Sequence, residues 1–92
     1  MEITFDSSKN ERNISERGIS FERAREFDFE TALYVEDTRK NYGETRLRAV
    51  GYIGRRLHVL VFTMRGETLR VISLRKANKN EVGWYDEETA RP

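Results

Sequence analysis

The most regular alternation of apolar and polar positions lies in the second half of the chain. From Thr45 to Ile53, Leu47, Ala49 and Ile53 fall on one side while Arg46, Arg48 and Tyr52 fall on the other, the pattern of a half-buried strand. Leu57 to Met64, "LHVLVFTM", is apolar on both faces and predicts a central strand. Thr68 to Leu74 alternates again. The tight turns "GRR" and "RGE" join these runs into an antiparallel meander. Gly51, inside the first of them, predicts a bulge or a close backbone approach. Strict alternation sets Arg70 with Ile72 and Leu74, and Arg75 with Val71 and Ser73. The two arginines can then share a site only if the strand ends or bulges near Leu74.

The first half has helical spacing instead. After "EITF" (Glu2 to Phe5), read as an edge strand, Ser8 stands three residues before Glu11, the spacing of a capping box. A helix is expected from Lys9 to Arg17, closed by Gly18, with Ile19 folding back on Ile14. Ser20 caps a second helix whose Phe21, Ala24 and Phe27 recur at helical spacing and belong to a core. Ala32 to Glu36 reads as a further strand, and the polar link Thr38 to Glu44 as exposed and mobile. Asn78 to Glu88 has helical potential that Gly83 weakens. The expectation is one α+β domain over residues 1–92: two N-terminal helices packed on one face of an antiparallel sheet, a short C-terminal helix, and the arginines on the other face.

Composition narrows the class. With 37% hydrophobic and 36% charged residues the chain is polar yet apolar enough to fold. It has no run of the length a membrane span requires and no leader at its start, so a cytoplasmic protein is expected. The absence of cysteine excludes disulfides and thiolate chemistry, and a lone histidine argues against a zinc site. Net charge is only +1, but it is segregated. Residues 1–44 carry 7 Lys/Arg against 11 Asp/Glu, whereas residues 45–92 carry 10 against 5. Thirteen of the 17 cations are arginine, whose planar fork pairs with phosphate bidentately. Such a segment is the footprint of an anion binder, against the simpler alternative of a solvated sheet face.

No phosphate loop, dinucleotide glycine pattern, metal-ligand cluster or nucleophile elbow is present, so neither cofactor nor metal is expected. His58 lies among Leu57, Val59, Leu60 and Phe62 and reads as a structural histidine. What remains is Glu44 two residues before Arg46, with Arg48, Arg70, Arg75 and Lys76 nearby in the pattern. A carboxylate among guanidiniums suits metal-free RNA cleavage, where the 2′-hydroxyl must lose its proton and the phosphorane charge must be stabilised. A purely structural ion pair between Glu44 and an arginine is the alternative.

These residues also carry a resemblance. "FDSSKNERNISERGISFERA" and "YGETRLRAVGYIGRRLHVLVFTMRGETLRVISLRKANKNE" resemble the N-terminal signature and the remainder of the BrnT toxins. The motif positions fall on Lys9, Asn13, Gly18, Glu44, Arg46, Arg70, Ser73, Arg75, Lys76 and Glu81. The resemblance implies a RelE-like endoribonuclease toxin of a type II toxin–antitoxin system. It also implies a ribbon-helix-helix antitoxin, BrnA, a two-plus-two complex, and operator DNA contacted only through the antitoxin. On this reading Glu44, Arg46, Arg70, Arg75 and Lys76 form the catalytic set, and Lys9, Arg17, Arg48 and Lys79 bind RNA. Arg17 departs from the family, which usually has histidine there, and arginine stays protonated at neutral pH. A weakened toxin acting as an antitoxin-binding co-repressor is therefore the rival reading, and an RNA-binding domain without cleavage a third.

Overall fold

The computed structural model describes residues 1–91. Five strands, β1 (Glu2–Thr4), β2 (Leu33–Glu36), β3 (Leu47–Ile53), β4 (Arg56–Arg65) and β5 (Thr68–Lys76), form one sheet in the order β1-β5-β4-β3-β2. Strands β3, β4 and β5 make the expected meander, and β2 adds to it antiparallel. β1 is the edge strand predicted, but it pairs with β5 in parallel, so the sheet is mixed rather than antiparallel. Local alternation cannot report this, because the direction of pairing is set by where the chain returns.

The N-terminal layer also departs from expectation. Helix α1 (Ser7–Arg17) is capped by Asp6, whose carboxylate accepts from the Lys9 amide at 3.1 Å, and not by Ser8. Gly18, at φ 69°, closes the helix as predicted and donates its N–H to the Ile14 carbonyl. Ile19 enters the core while Ile14 stays exposed, which replaces the expected pairing across the cap. The second helix is a 3₁₀ segment, Phe21–Glu26, with Ser20 as its cap. Only this segment packs under the sheet. α1 closes the edge of β5 beyond β1, where Asn13 Nδ2 donates to the Leu74 carbonyl at 2.8 Å and to the Ile19 carbonyl at 2.9 Å.

One face of the sheet meets the 3₁₀ segment through Phe21, Ala24 and Phe27, packed with Ala49, Ile53, Leu60, Phe62, Leu69, Val71 and Leu74. Full burial of a Leu, Val or Phe stabilises by about 1.5–3 kcal/mol each, so this cluster dominates the fold. Gly51 is the close approach anticipated: a Cβ there would meet the Phe27 ring at 2.7 Å and Ala32 at 2.9 Å. His58, 3% exposed, belongs to the same side, its Nδ1 2.8 Å from the Arg56 carbonyl. Burial holds its pKa below the ordinary 6.5, with Arg23, Arg56 and Lys76 adding to the effect.

The other face is divided. Helix α2 (Lys79–Thr89), whose N-terminus is fixed by an Asn78–Glu81 capping box, covers Val50, Leu57, Val59 and Ala77 with Tyr85 and Val82. Gly83 does not break it. The remaining half is open and carries arginines. No helix among the described residues is long and apolar enough to cross a membrane.

Candidate active site

The arginines reach one place because of an irregularity in β5. Val61 pairs with Ser73 but Phe62 pairs with Val71, so Ile72 is an extra residue. The bulge reverses the alternation beyond it. Leu69, Val71 and Leu74 therefore all face the 3₁₀ layer, while Arg70, Ser73 and Arg75 face the open side. Arg48 on β3, opposite Val61, joins them. Arg17 arrives from the last turn of α1, which the edge position of that helix makes possible. The loop after β2 supplies Asp37 and Arg39, anchored where the Asp37 amide donates to the Arg46 carbonyl at 2.8 Å. The result is a cavity of about 180 Å³ lined by Arg17, Asp37, Arg39, Arg46, Arg48, Arg75 and Ser73 over Val61 and Ile72.

Five guanidiniums around one carboxylate leave the cavity strongly positive. Asp37, its side chain 3% exposed, accepts from Arg39 Nε and Nη2 at 2.8 Å each and from Tyr42 Oη at 3.2 Å. The Arg39 guanidinium, against the opposing effect of burial, holds the Asp37 carboxyl well below the usual carboxylate range. Arg46 lies 4.0 Å from the Tyr42 ring centroid, a cation–π contact, and its Nε is 3.4 Å from Glu44. Arg75 is held end-on by Glu81, Nη1 and Nη2 each 2.8 Å from a carboxylate oxygen. Among the described residues Arg17 and Arg48 have no ion-pair partner, so both are available to an incoming anion.

Of the residues expected in the site, Arg17, Arg46, Arg48 and Arg75 converge. Glu44 lies outside, in an adjoining recess that shares Asp37 and Arg46, and it contacts Arg46 and, at 3.5 Å, Arg65. Arg70 shares the face of Arg75, as the bulge requires, but pairs opposite Thr63 whereas Arg75 pairs opposite Val59. At about 3.3 Å per residue the two are roughly 13 Å apart along β4, and Arg70 does not line the cavity. It stands instead near Asp6, whose carboxyl is held low first by the Lys9 amide and further by Arg70. Lys76 registers with His58 on the opposite face. Lys9 lines a groove along α1 that shares Arg17 and Ser73 with the cavity, and Lys79 borders Arg56 and Val82 elsewhere. Asp37, Arg39 and Tyr42 were not anticipated. The signal for them was the acid two residues before an arginine at the end of β2, a spacing that puts both side chains on one side of an extended chain.

An α+β domain with an arginine-lined cavity of small-anion size, open on one sheet face, is the class these features define. Residues 5–81 match the family described as the ribonuclease toxin BrnT of type II toxin–antitoxin systems, and the chain belongs to that family. Membership implies an antitoxin as partner. No curated protein matches the chain.

Proposed function

We propose that this chain is a metal-independent endoribonuclease whose arginine cavity holds the scissile phosphate, and that a BrnA-like antitoxin silences it. The carrying observation is the convergence of Arg17, Arg46, Arg48 and Arg75 beside Ser73, with Arg17 and Arg48 unpaired. The RNA 2′-oxygen attacks phosphorus and its proton passes to Glu44. The P–O5′ bond then breaks, and the leaving 5′-oxygen takes a proton from water. Guanidiniums placed where the phosphorane charge develops lower the barrier electrostatically. Glu44, partly exposed in the recess that adjoins the cavity through Arg46, suits the base role better than Asp37, which its hydrogen bonds keep from accepting a proton. The test is RNA cleavage by partner-free protein in excess EDTA. Cyclic phosphate ends are expected, with at least a tenfold loss on Arg75→Ala, about 1.4 kcal/mol of barrier. Uncut RNA from both the natural chain and a folded Arg17→His variant overturns the reading.

Arg17 favours the second reading, an antitoxin-binding co-repressor with weakened cleavage, because it puts a group without base character in the cavity itself. Expression without the partner separates the two: growth arrest supports the nuclease, normal growth with retained antitoxin binding the module. In either case the antitoxin is placed over the open face, where exposed Val35 and Trp84 flank the cations. Unchanged assembly, as a two-plus-two complex or otherwise, after joint replacement of Arg46, Arg70 and Arg75 removes that placement.

A further inference from the structure

The hydrogen bonds of Arg75 divide its guanidinium in two. Glu81 Oε1 and Oε2 take Nη1 and Nη2 at 2.8 Å each, and Nη1 also donates to the Lys76 carbonyl at 3.3 Å. Those contacts use the end of the fork. The side formed by Nε–H and the second Nη2 hydrogen has no acceptor among the described residues, and Arg75 lines the cavity. Glu81 is itself fixed: its Oε1 accepts from the Asn78 amide at 2.9 Å while its own amide donates to Asn78 Oδ1 at 2.9 Å. Arg75 and Glu81 are both mostly shielded, at 30% and 20% side-chain exposure.

We propose that Glu81 is a positioning residue for the phosphate site: by holding Arg75 end-on, it presents the side edge of the guanidinium as a rigid two-hydrogen fork for two phosphate oxygens. This rests on the phosphate reading above and extends it to a residue that does not line the cavity. The helix cap of α2 then has two tasks, starting the helix and orienting an arginine on the neighbouring strand. A bidentate fork loses its advantage when its plane turns, since both hydrogens must meet their oxygens together. The Arg75 hydrogen bond holds the Glu81 carboxyl below its ordinary value, and the charge of Arg48 adds to this.

The capping function and the positioning function can be separated. Glu81→Gln keeps an acceptor for the Asn78 amide but loses the second oxygen and the charge that Arg75 requires. Asn78→Ala breaks the cap and leaves the Arg75 pair. The readouts are kcat and KM for RNA cleavage, the affinity for a 2′-O-methylated, uncleavable oligonucleotide, and the melting temperature. Glu81→Gln is expected to weaken oligonucleotide binding and kcat/KM about tenfold with a smaller fall in melting temperature than Asn78→Ala, which keeps its RNA affinity. In an Arg75→Ala background Glu81→Gln should add nothing, because the two act as one unit. Multiplying effects of Glu81→Gln and Arg75→Ala, or equal RNA losses in Glu81→Gln and Asn78→Ala, overturn the proposal. A natural chain that neither binds the oligonucleotide nor cuts RNA overturns the phosphate site itself, and is told apart by needing no variant.

Discussion

The two faces of the sheet are made by the same three strands yet obey opposite requirements. On the 3₁₀ side Ala49, Leu60, Phe62 and Leu74 are buried among aromatics, and the positions are filled by shape. On the other side the strands contribute Arg48, Ser73 and Arg75 to open surface, and only where α2 lies across them does an apolar cluster return. Stability thus resides chiefly on one face, and the arginines gather on half of the other. Substitutions on each side should show effects that do not cross over.

The largest expected effect is on the packed face. Leu60, fully buried, loses about 2–5 kcal/mol of stability on replacement by alanine, measurable by urea unfolding. Binding of uncleavable RNA by the fraction that remains folded should not change. Gly51→Ala is next, because its Cβ meets the Phe27 ring and Ala32 rather than open space, and such overpacking costs about 1–3 kcal/mol. A neutral result would mean that Phe27 can move aside, and that the packed face is less rigid than its contacts indicate. On the open face Arg48→Ala should leave the unfolding free energy within about 0.5 kcal/mol of the natural chain. It should reduce the slope of log affinity against log salt for RNA by about one. An unchanged slope would show that Arg48 does not meet phosphate.

The smallest effect tests His58, which belongs to the packed side. Its folded pKa lies below the ordinary 6.5, so the unfolded chain takes up the proton first. Its contribution is complete above about pH 6.5 and falls as the pH drops below it. Replacement by glutamine should flatten the stability profile in that window, read by thermal melts between pH 7 and about pH 5. The Asp37 carboxyl behaves in the same sense at lower pH, since its pairing with Arg39 stabilises above the ordinary value near 3.8 and is lost only on further acidification. The two losses should therefore appear as separate steps.

What was readable beforehand follows the same division. The strands of the meander, the caps at Gly18 and Ser20, the buried Phe21, Ala24 and Phe27, and the tight spot at Gly51 were all carried by local periodicity or glycine chemistry. The sequence requires a strand end or bulge near Leu74 but does not single out Ile72, an ordinary β-branched strand residue with no glycine to mark it. Arg39 is hidden in what reads as a polar link and Asp37 just before it, since a carboxylate buried by its own near neighbour looks, in one dimension, like a solvated turn. Glu44 and Arg46 were seen as a pair, and they are one, but sequence spacing could not tell whether that pair stands inside the cavity or at its rim.

The parallel pairing of β1 with β5 has a bearing on how the molecule comes into being. Glu2 leaves the ribosome long before its partner Thr68. Closing that contact carries the entropy of a long loop, so β1 must wait for β5. The cavity follows the same timetable, because it draws on Arg17 and on Arg75, which is made much later than Arg17. A nascent chain therefore has no assembled cavity until Arg75 has been made and β5 has paired.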